Sequence, residues 1–179
     1  MRFATFYRNV NVGRPGSPST AALVAAFEGA GAGEVATFLT HGNVVFSAPD
    51  SDAADRVVVQ ATETLRRECA LHQPAFTRSV RALGVLARAE PFEGAPTRDV
   101  YQQVVTFLST GAGAGLALPL ATPRLDVEVV RVVRDTAFSV TRKVAGTAGP
   151  ANAFLERASR APATTRQWST VIRLLERWA

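Results

Sequence analysis

The chain has 179 residues, 47% hydrophobic and 20% charged, which is enough apolar material for a folded core and excludes a disordered protein. No apolar run approaches the ~20 residues of a membrane-spanning helix, and the first residues lack a signal-peptide pattern. We therefore expect a cytoplasmic protein without a membrane partner. The single cysteine, Cys69, excludes an intrachain disulfide, and with only two histidines beside it we expect no metal site and no cofactor.

The net charge is +5, and all but one of the 20 basic residues are arginine. A basic chain of this kind raises nucleic acid as a partner. The arginines are scattered, however, and only Arg66 and Arg67 are neighbouring arginines, so a solvated surface is the favoured interpretation. Nucleic-acid binding through the Arg-rich surface is kept as an alternative function.

Residues 1–90 predict a ferredoxin-like lobe with the element order β-α-β-β-α-β. Short runs rich in aromatic and β-branched residues, bounded by turn signals, place its strands at 3–8, 35–39, 44–48 and 75–80. Ser17 as a cap and Pro18 in the first turn predict the start of the first helix. The second helix is expected to open at Ser51.

The sequence predicts a linker at 91–100 and a smaller second α+β lobe with a terminal helix at 101–179. This second lobe is either separate from the first lobe or interlocked with it. Strand signals cover 102–108, 126–133 and 137–144, with a short helical turn at 116–120. Thr164 and Gln167 stand at capping-box spacing before the last helix, whose apolar face includes Trp168. The order of elements is that of two degenerate copies of one unit, although their sequence similarity is weak.

Four segments are similar to motifs of one bacterial family. Residues 7–13 (YRNVNVG) resemble its opening R-G-I-N-V-G, and residues 37–46 (TFLTHGNVVF) resemble its T-Y-I-Q-S-G-N-V-V-F. Residues 90–92 (EPF) are similar to its N-P-F, and residues 164–171 (TTRQWSTV) to its T-T-R-N-W-N-T-V. The chain thus resembles the bacterial domain of unknown function 1697 family, and the resemblance implies an α+β fold with ferredoxin-like parts and no established activity.

The chain departs from the pattern of that family in the loop after the first motif, in the second motif, and around 148–153, where the S-K-L of the family is not recognisable. The family carries a lysine in the loop after the first motif, where this chain has residues 14–18 (RPGSP) without lysine. The serine before the Gly-Asn pair is replaced by His41. A site shared by the family would therefore be altered here.

The expected topology brings two polar segments together. With sheet order 4-1-3-2, strands one and two flank strand three, so the end of strand one lies beside the turn between strands two and three. The candidate ligand-binding residues on these segments are Arg8, Asn9, Asn11, Gly13, His41, Gly42 and Asn43. The N-terminus of the first helix, near Ser17, adds N–H groups and the positive end of a helix dipole. Together they predict a cationic niche for a carboxylate or a phosphate.

The same residues have a structural interpretation, because Asn and Gly in tight turns chiefly serve backbone geometry. Arg166 is a secondary candidate in the expected first turn of the last helix, where it either binds an anion or joins the lobes through loop carbonyls. Trp168 is assigned to core packing.

No catalytic or zinc-binding motif is present, so catalytic residues stay unknown and the favoured function is a non-enzymatic binder of a small anionic ligand. A cofactor-free enzyme with Arg8 as electrophile and His41 as base is a further alternative. Aromatic residues on strands one and three parallel the RNA-recognition module. They are Phe3, Phe6, Tyr7 and Phe46. Strand alternation divides them between both faces of the sheet, which weakens that parallel.

Overall fold

The computed structural model describes residues 1–14 and 17–179. It consists of two units, Met1–Gly84 with Trp178–Ala179, and Val85–Arg177. Helices alternate with strands, and neighbouring strands in the sheets are antiparallel. The expected α+β class is therefore confirmed.

The first unit contains a four-stranded sheet with the order β2-β3-β1-β4. Its strands are β1 (Arg2–Tyr7), β2 (Gly33–Phe38), β3 (Asn43–Ser47) and β4 (Ala75–Ser79). Its helices are α1 (Thr20–Gly29), α2 (Ser51–Cys69) and the start of α3 (Val80–Arg88). Asp50 caps α2 by accepting the Ala53 N–H, and Ala70 ends it in the left-handed conformation.

The core of the first unit lies between the sheet and the helices α1 and α2. Strand alternation directs Phe3 and Tyr7 of β1 to the helical face, together with Phe46 of β3. The ring of Phe27 from α1 meets Phe46 at 5.2 Å and Tyr7 at 6.4 Å between centroids, both in edge-on geometry. Each large side chain buried in this way contributes about 1.5–3 kcal/mol to folding. The opposite face is also buried at Phe6.

The start of α1 differs from the expectation at Ser17 and Pro18. The helix begins at Thr20, and Ser19 is its cap, with its hydroxyl accepting the Ala22 N–H at 3.1 Å. The hydroxyl of Ser17 lies instead in the preceding loop, where it accepts the N–H of Asn11 at 3.4 Å. The Ser-Pro-Ser sequence offers two equivalent caps, and the loop contact takes the first of them.

The second unit contains a five-stranded sheet with the order β11-β5-β8-β7-β6. These strands are β5 (Gln102–Leu108), β6 (Leu120–Ala121), β7 (Val127–Val133), β8 (Thr136–Thr141) and β11 (Ala163–Gln167), and a small hairpin is formed by β9 (Lys143–Val144) and β10 (Thr147–Ala148). A 3-10 helix spans Ala112–Gly115, and the α-helices are α4 (Ala151–Ser159) and α5 (Trp168–Trp178). Leu155 of α4 packs on Leu108, Val129 and Ala137 of the sheet.

Three expectations for the second unit are wrong. Thr164 and Gln167 do not cap a helix but lie in β11, where Thr165 is held in register by a side-chain hydrogen bond to Thr106. The helical turn lies at Ala112–Gly115 rather than at 116–120. The strand expected at 137–144 breaks at Arg142, which donates to the carbonyl of Leu125 at 2.8 Å and to the carboxylate of Glu128 at 3.1 Å.

The two units repeat one strand order. Apart from β6, the second sheet has its second, third, first and fourth strands side by side, as the first sheet does. The first and fourth strands are joined in both units by a threonine pair whose hydroxyls are hydrogen-bonded. The pairs are Thr5 with Thr77 at 2.8 Å and Thr106 with Thr165 at 2.8 Å. The equivalence therefore extends from topology to individual side chains.

Two glycines of the 3-10 helix give a matched test of the packing in the second unit. A Cβ at Gly113 would overlap the carbonyl oxygen of Arg134, whereas a Cβ at Gly115 would meet nothing within 4 Å. We expect Gly113→Ala to lose about 3 kcal/mol or more of unfolding free energy, because backbone atoms have to move. Gly115→Ala should change it by no more than about 0.5 kcal/mol. Urea unfolding followed by tryptophan fluorescence measures both, and equal stability of the two variants contradicts this packing.

Candidate functional site

The candidate site lies at the end of the first sheet where β1 ends and β4 begins. The Tyr7 N–H donates to the carbonyl of Gly42 at 2.9 Å, and the Arg8 N–H donates to the carbonyl of Pro74 at 3.0 Å. Arg8 is thus placed between the β2–β3 turn and the segment leading into β4. The two segments that sequence reasoning expected to meet do meet.

The loop after β1 is folded onto the β2–β3 turn. The Val12 N–H donates to the carbonyl of Thr40 at 2.7 Å, and the side chain of Val10 is buried. Asn9 adopts the left-handed conformation with φ 51°, which asparagine tolerates better than most residues. Within the loop, the carbonyl of Asn11 accepts the N–H of Arg14 at 3.1 Å. These bonds hold the polar residues of the loop in defined positions beside the turn.

The seven sequence-predicted residues divide by exposure. Asn9, Asn11, Gly13 and His41 are exposed, and Arg8 is half-buried. Gly42 is buried, and Asn43 is only 1% exposed, with its amide donating to the carbonyl of Phe38 at 2.8 Å. These two residues shape the turn from within, and the other five form the surface beside it.

One neighbour of Arg8, Gln73, was missed by sequence reasoning. The guanidinium of Arg8 donates to the side-chain carbonyl of Gln73 at 3.1 Å, and the residue before Gln73, His72, is exposed. Gln73 is 65 residues from Arg8 in sequence, and only the pairing of β4 with β1 brings it there. The expected sheet order contained this information, since it placed strand four on the other side of strand one.

The charge of this region is uniformly basic in the segments that build it. Residues 8–19, 39–42 and 70–75 contain no aspartate or glutamate, and they carry Arg8, Arg14, His41 and His72. The first helix adds less than expected, because its N-terminus lies at Thr20 and is capped by Ser19. The three segments therefore offer cationic groups and amides without an internal carboxylate.

The equivalent end of the second sheet has a different character. There the Leu108 N–H donates to the carbonyl of Asp135 at 2.9 Å, as Tyr7 does to Gly42. The carboxylate of Asp135 accepts the N–H of Gly113 at 3.1 Å. The turn of the second unit thus supplies a carboxylate of the chain itself, which the turn of the first unit lacks.

Arg166 lies in β11 and not in the first turn of a helix. Its guanidinium donates to the hydroxyl of Thr164 at 2.8 Å and to the carbonyl of Thr165 at 2.9 Å. Burial lowers the pKa of Arg166 to about 10, which leaves the side chain charged at neutral pH. In the first unit Arg78 donates in the same way to the carbonyl of Thr77 at 2.8 Å. The repetition assigns these contacts of both arginines to the support of the sheets.

Tyr7 fixes the end of β1 from the core side. Its hydroxyl is hydrogen-bonded to the hydroxyl of Thr62 in α2 at 2.9 Å, and its side chain is buried. Desolvation by burial raises the pKa of Tyr7 to about 12, although the bond to Thr62 opposes the shift. The phenol therefore stays neutral and tethers the residue next to Arg8.

The described part of the chain, residues 1–14 and 17–179, contains no group of three or more His, Cys, Asp or Glu side chains placed to hold a metal ion. Among the same residues, no helix combines the length and apolar character required to cross a bilayer.

The secondary structure and the antiparallel sheets define an α+β protein. The family described as "Protein of unknown function (DUF1697)" matches residues 1–138, and the chain belongs to it. A solved structure, that of the conserved bacterial protein SP0830 from Streptococcus pneumoniae, is similar with a TM-score of 0.62 and 18% sequence identity, covering 98% of this chain and 97% of that one. This likeness concerns the fold. No curated protein matches the chain.

The turn beside Arg8 depends on the absence of a side chain at Gly42. This residue has φ 65°, and a Cβ there would lie 2.7 Å from the Cβ of Val10. We expect Gly42→Ala to lose about 2–4 kcal/mol of unfolding free energy through the overlap and the left-handed backbone. The control is Gly31→Ala, which has φ 88° but an open surrounding and should cost about 1–2 kcal/mol. Equal losses of unfolding free energy in the two variants would show that Val10 moves away from a Cβ at residue 42 without a cost in stability.

The pKa of Tyr7 predicts a loss of stability at alkaline pH. The folded pKa of Tyr7, about 12, lies above its unfolded value of 10.0, so the contribution of Tyr7 to the free energy of unfolding is constant below about pH 10. It falls between pH 10 and pH 12, because Tyr7 ionises first in the unfolded chain. The total loss from this group is about 3 kcal/mol. We expect Tyr7→Phe to remove this part of the pH dependence, while Tyr101→Phe, at the exposed tyrosine, keeps it. The prediction is checked by measuring the urea concentration at the unfolding midpoint at about pH 8 and at about pH 11. An equal fall of this midpoint in the wild type and in Tyr7→Phe contradicts the prediction.

Proposed function

We propose that the first unit, a ferredoxin-like lobe within residues 1–90, is a non-enzymatic binding module for a small anionic ligand, a carboxylate or a phosphate. The observation that carries the proposal is the meeting of three segments without any acidic residue at one end of the sheet, with Arg8 between the other two. Cationic groups on segments that carry no carboxylate of their own attract anions.

Arg8 is the central group of the proposed site. A guanidinium binds carboxylate or phosphate through a planar pair of N–H donors, and such charged bonds are about twice as strong as neutral ones. Gln73 accepts one bond from Arg8 and orients the group. Half-burial of Arg8 lowers the local dielectric constant and strengthens its attraction for an anion.

The exposed residues around Arg8 supply the rest of the proposed contact surface. Asn9 and Asn11 carry side-chain amide donors, and His41 is exposed at the neighbouring turn. Gly42 and Asn43 act indirectly in this proposal, by holding the turn against the loop. The carboxylate of Asp135 at the equivalent turn of the second unit supports the choice of ligand, because there the chain provides the anion itself.

Burial in the first sheet favours the small ligand over nucleic acid. The aromatic residues that an RNA-recognition module would expose for base stacking are all buried. They are Phe3, Phe6, Tyr7 and Phe46. Without a stacking platform, nucleic-acid binding would rest on charge alone and would be non-specific.

The proposal is tested by titrating the protein with inorganic phosphate and with citrate at constant ionic strength. We expect both anions to raise the melting temperature, since a ligand at about a hundred times its Kd adds about 2.7 kcal/mol. Arg8→Ala should weaken binding by about tenfold to hundredfold, the worth of one charged hydrogen-bond pair. Arg56→Ala, at an exposed arginine of α2, is the matched control and should bind as the wild type does.

Sodium chloride at equal ionic strength separates specific binding from screening. Equal stabilisation by chloride and phosphate, or equal affinity of Arg8→Ala and Arg56→Ala, contradicts the proposal. Binding of a single-stranded oligonucleotide without binding of phosphate or citrate also contradicts it and favours the nucleic-acid alternative.

A further inference from the structure

A cavity of about 500 Å³ opens in the second unit where β11 turns into α5. The pairing of β11 with β5 ends at Gln167 and Val104, because the chain enters the helix at Trp168. The start of β5 continues past this point, and the space beside it forms the cavity. Its volume is within the range of small-molecule sites, about 300–1,000 Å³.

The lining of the cavity is uncharged and mixes polar with apolar groups. It consists of Val100, Tyr101, Gln102, Gln103, Gln167, Trp168 and Ser169. Strand alternation and register place Gln102 and Gln167 on one face of the sheet, and Gln103 on the other face with Phe138 and Trp168. Each glutamine amide offers one acceptor and two donor hydrogens. The absence of charged lining residues separates this cavity from the basic end of the first sheet.

The polar groups of the lining are not engaged with the protein. Within the described ranges, 1–14 and 17–179, the side chains of Gln102, Gln103 and Gln167 form no hydrogen bond, and neither do those of Trp168 and Ser169. Trp168 is only 9% exposed, but its indole nitrogen is not a buried atom and is open to solvent. The N–H is therefore available as a donor to a ligand in the cavity.

Aromatic surface borders the same cavity. Trp168 is held rigidly by edge-on contact with Phe138 at 5.4 Å and by Phe92 at 5.9 Å between centroids. Tyr101 is 45% exposed, and the ammonium of Lys143 lies 4.0 Å from its ring centroid. The first N–H groups of α5 also belong to lining residues, and the first turn of a helix has no intrahelical acceptors for them.

We infer that this cavity binds a nucleobase, presented by a small nucleoside. A base is planar, uncharged and edged by adjacent donors and acceptors, which glutamine amides match in pairs, as in bidentate contacts to adenine. Its faces suit aromatic side chains such as Tyr101. The amide of Gln103, the solvent-facing indole N–H of Trp168 and the exposed ring of Tyr101 are thus accounted for by one ligand class.

The two tryptophans of the chain provide the readout. We expect adenosine, guanosine, cytidine or uridine to shift the indole N–H signal of Trp168 saturably in ¹⁵N NMR spectra, while the signal of Trp178 stays in place. Concentrations up to about 10 mM fill even a weak site with a Kd of ~1 mM. Trp178→Phe assigns the two signals.

Gln103→Leu keeps the size of the side chain and removes its hydrogen bonds. We expect it to weaken nucleoside binding by about tenfold, the discrimination that one bidentate amide–base pair provides. Gln60→Leu, at an exposed position of α2, is the matched control and should leave the affinity unchanged. An unmoved Trp168 signal with all four nucleosides, equal affinities of the two variants, or a response to glucose in place of nucleosides overturns the inference.

Discussion

The end of the first sheet depends on one contact, the approach of the loop after β1 to the β2–β3 turn. Val10 lies where a side chain of residue 42 would be, and the N–H of Tyr7 reaches the carbonyl of that residue at 2.9 Å. A glycine in the left-handed conformation satisfies both demands, since it turns the hairpin and leaves room for Val10. The position of Arg8, the residue after Tyr7, follows directly from this contact.

The second unit brings the corresponding segment and turn together with other residues. In its turn, Asp135 takes the position of Gly42. The glycine that permits the close approach is Gly113, which lies on the segment after β5 and not on the turn. The hydrogen bond from the end of the first strand to the turn is retained, with Leu108 as the donor. One architectural requirement is therefore met twice, and only the first solution leaves the turn without a carboxylate. This difference gives the two turns a different charge on the same strand order.

Sequence reasoning succeeded where local pattern and structure depend on the same residues. The strand at 102–108 coincides with β5, because a short continuous run of β-branched and apolar residues suits a strand that is buried on both faces. It failed at Thr164 and Gln167, since the side chains that cap a helix also suit an extended strand, and the hydroxyl pairing of Thr165 with Thr106 decided for the strand. That pairing joins residues 59 apart in sequence and leaves no local signal.

The candidate site could also be predicted only where its residues belong to local sequence motifs. Arg8 and His41 were predicted because each belongs to a recognisable turn motif, whereas Gln73 became a neighbour of Arg8 only through the pairing of β4 with β1. The cavity was not predicted, although Gln167, Trp168 and Ser169 belong to the fourth family motif, since it arises from the place where a strand gives way to a helix. Both proposed sites lie at strand ends, because the interior of each sheet is filled by buried side chains. Polar backbone groups are left outside the strand pairing only at the strand ends. Their chemistry is opposite, cationic in one unit and neutral in the other, so each can fail without weakening the argument for the other.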